Sequence, residues 1–575
     1  MAGIEKDPSP AYATEASSTT QKDGFVADFI NGFRPHPVHA AASQKRRAAA
    51  EGGTYDIEQA AINVAESPLS RKLKGRHLQM IAIGGSIGTG LFVGSGKALA
   101  TGGPASLLIA FGLIGGMLYC VVHALGELAV LFPIAGSFSA YSTRFLDPAW
   151  GFAMGWNYAL QWLIVLPLEI VAASITIDYW HSSVNKAVWV TIFWVLIVII
   201  NLFGVKGYGE AEFVFSIIKV VAVIGFIILG IILDVGGGPN GDYIGGRHWH
   251  DPGAFHSGFK GLCSVFVTAA FAFAGTELVG LAAAETANPR KSLPTAVKQV
   301  FWRIFLFYIV SLTLVGLLVP YNEPRLLSGK SSADASASPF VIAIENASIE
   351  ALPSIMNVVI MIAVLSVGNS SVYGSSRTLA ALADQGQAPR ILGYIDRRGR
   401  PMVGIALSAL LGLLGYLAAS DKQGEAFGWM LAISGLSSIF TWGSVCLAHI
   451  RFRRGWAKQG HSLDELAYQS QPGVFGSWCG FILNCLVLIA QFWVAVWPIG
   501  EDPDVEVFFS IYLTVPVVLA FYIPYKIIYK TPFVRSATMD LTTGRRELDL
   551  DALLAEERRE RAAWPAWKKI YKLFC

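Results

Sequence analysis

Charge is scarce in this 575-residue chain. Asp, Glu, Lys and Arg make up 15% of it, against about a quarter of a typical soluble protein. With 53% hydrophobic residues and a mean hydropathy of +0.50, a water-soluble domain of this size is excluded. Cysteine is scarce too: six in all, with no CxxC pair and no metal-ligand spacing. Cys120, Cys263, Cys446, Cys479 and Cys485 fall in apolar runs and read as small packing residues, not a disulfide framework. No HExxH, Walker A or GxSxG constellation stands in a suitable context, so no enzyme centre, metal or cofactor is expected. The net charge of +3 gives nucleic acid nothing to bind. No cleavable leader precedes the first long apolar run, which begins near Met80, beyond the usual window of about 15–30 residues. That run is the expected first membrane anchor.

What the chain does have is length in apolar runs. A bilayer core needs about 20 apolar residues per helix, and twelve candidate spans meet that need: 79–98, 104–131, 150–175, 187–205, 212–233, 261–283, 300–319, 353–376, 402–419, 427–448, 476–497 and 507–528. The expected fold is an all-α polytopic membrane protein in three parts. Residues 1–70 form a disordered tail, rich in Ser, Ala and Thr. Residues 71–530 form the twelve-helix domain, and 531–575 a mixed-charge tail. Basic residues concentrate before span 1 (Arg71, Lys72, Lys74, Arg76) and in even-numbered connections (Arg290, Lys291; Arg390, Arg397, Arg398, Arg400; Arg451, Arg453, Arg454, Lys458). The last odd connection is acidic, with Glu501, Asp502, Asp504 and Glu506. Both termini are therefore expected in the cytoplasm, which places the sequon Asn346-Ala-Ser348 outside.

Two spans carry unusual glycine. Span 1 holds Gly84-Gly85-Ser86-Ile87-Gly88-Thr89-Gly90, and span 6 holds Phe271-Ala272-Phe273-Ala274-Gly275-Thr276-Glu277. Either stretch alone fits close helix packing. Together they open the first and second groups of five helices, where transporters built from inverted repeats break their helices near the midplane. A break frees N–H groups at one half-helix start, suited to a carboxylate, and carbonyls at the other half's end, suited to an amine. Ionisable residues inside spans are costly and default to a functional reading. Here they are Glu127, Glu169, Lys219 and Glu277, read as candidates for proton coupling, with a structural pair or a snorkelling group as the alternative. His123 reads as a packed residue.

The ordered set Leu78-Gln-Met-Ile-Ala-Ile-Gly-Gly-Ser-Ile-Gly-Thr-Gly-Leu-Phe-Val-Gly94, Gly126-Glu-Leu-Ala129, Phe132-Pro-Ile-Ala-Gly-Ser-Phe138, Gly155-Trp-Asn-Tyr158, Ala270-Phe-Ala-Phe-Ala-Gly-Thr-Glu277, Glu285-Thr-Ala-Asn-Pro-Arg290, Ser338-Pro-Phe-Val-Ile-Ala343, Ser434-Gly-Leu-Ser-Ser-Ile-Phe-Thr-Trp442 and His449-Ile-Arg-Phe452 resembles the fungal branch of the amino acid–polyamine–organocation superfamily, specifically the general amino-acid permeases. The resemblance covers roughly residues 70–530. It implies a five-plus-five inverted-repeat (LeuT-like) core with helices 1 and 6 broken, and proton-coupled uptake of amino acids, protons being the coupling ion. In that pattern Ser86, Gly88, Thr89 and Gly90 meet the substrate carboxylate. The carbonyls of Ser86 and Ala274, beside Gly275, meet the amine, and Phe271 gates the site. Gln161, Val165 and Ser434 line the side-chain pocket. Lys219 falls where sodium-coupled relatives hold their ion. Broad specificity and a plasma-membrane location are further implications.

The tails carry candidate control elements by the same resemblance: Lys6 and Lys22 for ubiquitin-ligase machinery, and Cys575 for palmitoylation. A receptor that binds the same ligands and signals through its tails is the alternative function. A channel is weakened by the absence of a selectivity-filter repeat.

Overall fold

The computed structural model describes residues 31–36, 50–51, 54–85, 87–239, 241–328, 338–420, 423–500, 502–545, 559 and 564–565. Among these the chain is helical apart from one two-stranded ribbon, Ala50–Glu51 with Thr54–Tyr55. Among the described residues nine helices are long and apolar enough to cross a bilayer, and the bent pair Val505–Tyr512 and Thr514–Tyr529 makes a tenth. Two departures from regularity account for the difference from twelve. Gly90–Leu131 runs through a break at Gly103, φ 80°, followed by Pro104, which separates the end of span 1 from span 2. Span 4, Lys186–Leu202, is a shorter apolar helix of 17 residues.

Burial sorts the spans. The most apolar window of span 3, Pro148–Trp180, is 89% buried; those of span 6, Gly258–Glu285, and span 8, Leu352–Asp384, are 72% buried. In span 5, Gly204–Asp234, span 9, Met402–Ala419, and span 11, Gly473–Val496, only 33% is buried. Spans 3, 6 and 8 therefore form the interior, and spans 5, 9 and 11 turn apolar side chains such as Ile217, Val221, Ile482 and Ile489 outward, toward where lipid would lie. Two contact sets repeat across the halves. The first half of span 1, Gly75–Gly84, packs on span 5, and the first half of span 6, Gly258–Phe273, packs on span 10, Gln423–Lys458. Spans 3 and 8, in matching positions of the two groups of five, pack against each other.

The packed chain begins before residue 71 and ends after residue 530. Helix Ile57–Ala65 is capped by Asp56, whose carboxylate accepts from the Gln59 N–H at 3.0 Å. It buries Ala60, Ala61 and Val64, and Asn63 donates to the carbonyl of Asp384 at 3.0 Å. At the other end, residues 531–545 form a strap across the same face, with Met539 and Leu541 buried. Arg144 donates to the carbonyls of Asp540 (2.6 Å) and Thr543 (2.7 Å) and pairs with the Asp540 carboxylate at 3.0 Å. Gly544 lies against Ile134 and Ala65, so strap and N-terminal helix meet. Hydropathy finds neither element, because both bury their apolar residues against protein.

Burial raises the Asp540 carboxyl, but Arg144 and the N–H groups of Thr542 and Thr543 outweigh it and hold the group below its ordinary value. A depressed carboxyl stabilises the docked strap above its unfolded pKa and loses that contribution as pH falls through its folded pKa. Amide protection factors over 531–545, exchange rates corrected for the intrinsic pH dependence, are therefore expected to be high at neutral pH and to fall in acid. Arg144→Gln should cost about 1.5–3 kcal/mol of local stability and speed exchange at every pH. Equal protection in variant and parent would refute the role of this pair.

Candidate functional site

Both glycine-rich stretches are breaks. The first half of span 1 stops at Gly84, and helix resumes at Gly90. Small size is obligatory there. A Cβ on Gly90 would lie 2.3 Å from the Ala272 Cα, and one on Gly88 would lie 2.4 Å from Val367 Cγ2, distances no side chain tolerates. Gly90 thus lets the two broken helices touch backbone to backbone. Span 6 stops at Phe273, passes through extended Ala274 and left-handed Gly275 (φ 95°), and resumes at Leu278.

Between the breaks lies a narrow cavity lined by Gly88, Thr89, Gly90, Trp162, Val165, Glu169, Phe271, Ala274 and Val367. Glu169 comes from the middle of span 3 and is 1% exposed. One of its oxygens accepts from the Thr89 hydroxyl. The other, Oε1, is buried with no hydrogen-bond partner among the described residues. A buried acceptor without a donor is costly, and Glu169 is one of the residues that line the cavity.

Lys219, fully buried on span 5, donates to the Gly84 carbonyl at 2.6 Å and to Ser366 Oγ of span 8 at 2.8 Å. It pairs with Glu212 at 3.4 Å. Glu212, seven residues back on the same helix face, also accepts from Ser366 at 2.8 and 2.7 Å. Arg303 of span 7 donates to the Ala82 carbonyl at 2.7 Å. Two buried cations therefore satisfy carbonyls at the end of span 1's first half, where the helix dipole is negative.

The other sequence candidates sort cleanly. Gly88, Thr89, Gly90, Val165, Glu169, Phe271 and Ala274 converge on the cavity. Gln161 and Ser434 do not line it: Gln161 donates to Ser438 Oγ at 2.8 Å, and Ser438 in turn donates to the Ser434 carbonyl at 3.3 Å. Gly275 does not line it either; its N–H, freed by the break, goes to both oxygens of Glu277 at 3.2 Å. Glu277 also accepts from Tyr158 and Trp442, each at 3.2 Å, so it ties the break in span 6 to spans 3 and 10. Glu127 lies elsewhere, held by His449 at 3.0 Å, Arg453 at 2.6 Å and the Ser470 N–H at 2.7 Å. Asn346 is exposed and accepts from Arg325. Ser86, Lys6, Lys22 and Cys575 lie outside the described residues.

Sequence reasoning missed Trp162, Val367, Arg303 and Glu212. Only Glu212 left a signal, its seven-residue spacing from Lys219. It also missed a buried seal on the tail-bearing face. There Arg377 pairs with Glu285 at 3.1 Å and lies over Tyr373, which stacks on Tyr208 at 4.3 Å. Beside it Leu73 donates to the Glu285 carbonyl and accepts from the Ala287 N–H, at 3.0 and 3.1 Å. On the opposite face Ser338 donates to the Phe92 carbonyl at 2.6 Å. Phe340 packs on Phe92 edge to face, centroids 5.2 Å apart.

Two broken helices facing each other across a buried cavity that holds a carboxylate, among lipid-length helices, define a membrane transporter. The comparisons with known proteins name the kind: residues 77–537 match the amino acid permease family, and the chain belongs to it. It is 59% identical to the general amino-acid permease GAP2 of Candida albicans, over 99% of this chain and 100% of that one. It is 59% identical to the general amino-acid permease GAP1 of Saccharomyces cerevisiae, over 90% of this chain and 88% of that one. The histidine permease of Saccharomyces cerevisiae is 52% identical over 97% of this chain and 94% of its own.

Proposed function

We propose that the chain imports a broad range of amino acids across a fungal plasma membrane, coupled to protons, with both termini cytoplasmic and alternating access around the cavity between spans 1 and 6. The observation that carries this reading is that Glu169, with one oxygen unpartnered among the described residues, lines the same buried cavity as Gly88, Thr89, Gly90 and Ala274 at the two breaks. An amino acid brings a donor and an acceptor group on one carbon. Its carboxylate would take the N–H groups at the start of the second half of span 1. Its ammonium would take the carbonyls of Ser86 and Ala274 and Glu169 Oε1. Phe271 covers the site, and Trp162, Val165 and Val367 surround the side chain. Broad range follows the two general permeases at 59% identity; relatives named for a single substrate stand nearby at 52–53%. Lys219 is the coupling residue: charged, it holds Gly84 and Ser366 together; neutral, it leaves Glu212 unbalanced and loosens the end of span 1's first half.

The test is uptake by purified protein in liposomes under an inward proton gradient, with labelled neutral, acidic and basic amino acids. Accumulation of all three classes that collapses with a protonophore is the expected result. Accumulation indifferent to the protonophore would remove proton coupling, and accumulation of one class alone would remove broad range. In the same assay Glu169→Gln should raise KM by about 10- to 150-fold, the worth of a charge-assisted hydrogen bond of about 1.5–3 kcal/mol. An unchanged KM with lost accumulation would move Glu169 from amine recognition to proton transfer.

A further inference from the structure

A second cavity, of about 540 Å³, opens between spans 3, 10, 11 and 12. Its volume falls within the range of ligand sites, roughly 300–1,000 Å³. Its body is apolar, walled by Phe440, Leu447, Phe481 and Leu488. Phe481 and Leu488 are partly exposed on the perimeter face of span 11, so the cavity opens sideways, where lipid would lie. Water is a poor occupant, because each molecule needs two to four polar partners. An unfilled void of this size would forfeit contacts along its whole lining.

The end toward the tail-bearing face is charged, and unequally so. Asp147 is fully engaged: it accepts from the Ala149 N–H at 3.0 Å and Thr531 Oγ1 at 2.7 Å, and is paired with Lys526. Arg451, on the same rim, donates to the Val534 carbonyl and has no carboxylate within ion-pair distance among the described residues. An apolar body with one uncompensated guanidinium at its mouth has the shape and charge of a site for a lipid with a negative head. Arginine is the side chain best suited to grip a phosphate, and anionic lipids are enriched in the cytoplasmic leaflet, the side assigned to this face above.

We propose that this cavity binds an anionic glycerophospholipid, one acyl chain lying among Phe440, Leu447, Phe481 and Leu488 and the phosphate on Arg451. A lipid seated there touches the beginning of the strap, since Arg451 also holds Val534. Bilayer composition thereby bears on how firmly residues 531–545 are docked.

The experiment is native mass spectrometry of the full chain, delipidated in detergent and titrated with dioleoylphosphatidylserine, dioleoylphosphatidylcholine or cholesterol. The parent should retain one equivalent of phosphatidylserine at least tenfold more tightly than phosphatidylcholine. Arg451→Gln should reduce that preference to twofold or less. Gly443→Phe should abolish retention of both phospholipids by filling the cavity; a Cβ at Gly443 meets the Asn484 side chain only at ordinary contact, 3.5 Å. Leu447→Trp fills it from another position should the first variant not fold. Liposome uptake by each variant certifies its fold, because none of these residues lines the substrate cavity. Unchanged phosphatidylserine retention in Arg451→Gln or in a folded filled variant overturns the proposal, as does retention of cholesterol in place of phosphatidylserine.

Discussion

Lys219→Met is expected to abolish proton-driven accumulation and to lower the yield of folded protein. The yield falls because Glu212, itself fully buried, is left without its cation, and breaking one partner of a buried pair costs about 3–5 kcal/mol. A single variant therefore cannot separate a structural from a coupling role. The double variant Lys219→Met/Glu212→Gln removes both charges and keeps polar groups beside Ser366, so it should restore yield and thermal stability close to the parent. Accumulation should stay lost, while exchange of labelled for unlabelled amino acid across the liposome continues. A double variant that regains full protonophore-sensitive accumulation would reduce the pair to scaffolding. Recovery of neither yield nor exchange would point instead to the capping of Gly84 as the essential task, since methionine offers the carbonyl no donor.

Gly90→Ala should be nearly as damaging through one methyl group. The added carbon would sit 2.3 Å from a backbone atom of span 6 and 2.7 Å from the Ala272 side chain. Backbone cannot swing aside as a flexible side chain can, so the two broken helices must part by about an ångström. Misplacement of that order in a binding site can cost about 100-fold in rate, and the expected readout is at least that loss of kcat/KM. Gly116→Ala, where a Cβ meets nothing within 4 Å, is the matched control and should transport normally. Comparable activity in the two would mean that the breaks do not need to touch.

The spans themselves were legible in the sequence because a lipid environment leaves a hydropathy signature: 402–419, for one, matches the observed span Met402–Ala419, an α-helix to Gly412 that tightens to a 3-10 helix over Leu413–Ala419. Legibility failed where protein replaces lipid as the surroundings. Span 8 continues past 376 to Asp384 through Arg377, which is buried; hydropathy stops at 376 because Arg377 is charged, though its partner Glu285 is inside the protein. Helix Ser137–Phe145, the N-terminal helix and the strap escaped for the same reason. In the site, the breaks were visible as glycine. Trp162, Val367 and Arg303 were not, because a single aromatic, aliphatic or basic residue carries no mark of the direction it faces. Glu277 shows the converse: an intramembrane carboxylate conspicuous in sequence, yet engaged in closing the break in its own helix.

The joint at Gly103 bears on how such a molecule can move. The second half of span 1 passes into span 2 through that single residue. The joint is clasped from outside by the 254–256 segment: the His256 N–H reaches the Gly102 carbonyl and the Ala105 N–H the Ala254 carbonyl, each at 2.9 Å. Residues 90–131 are therefore pinned at the Gly103 joint. The Gly84 end of span 1's first half is held instead by side chains, Lys219 on the Gly84 carbonyl and Arg303 on the Ala82 carbonyl. A swing of that arm that admits water from the tail-bearing face has to release the Lys219 and Arg303 contacts to Gly84 and Ala82, so a spin label at Gln79, on that arm, should register displacement during turnover that one at Leu113, beyond the Gly103 joint, does not.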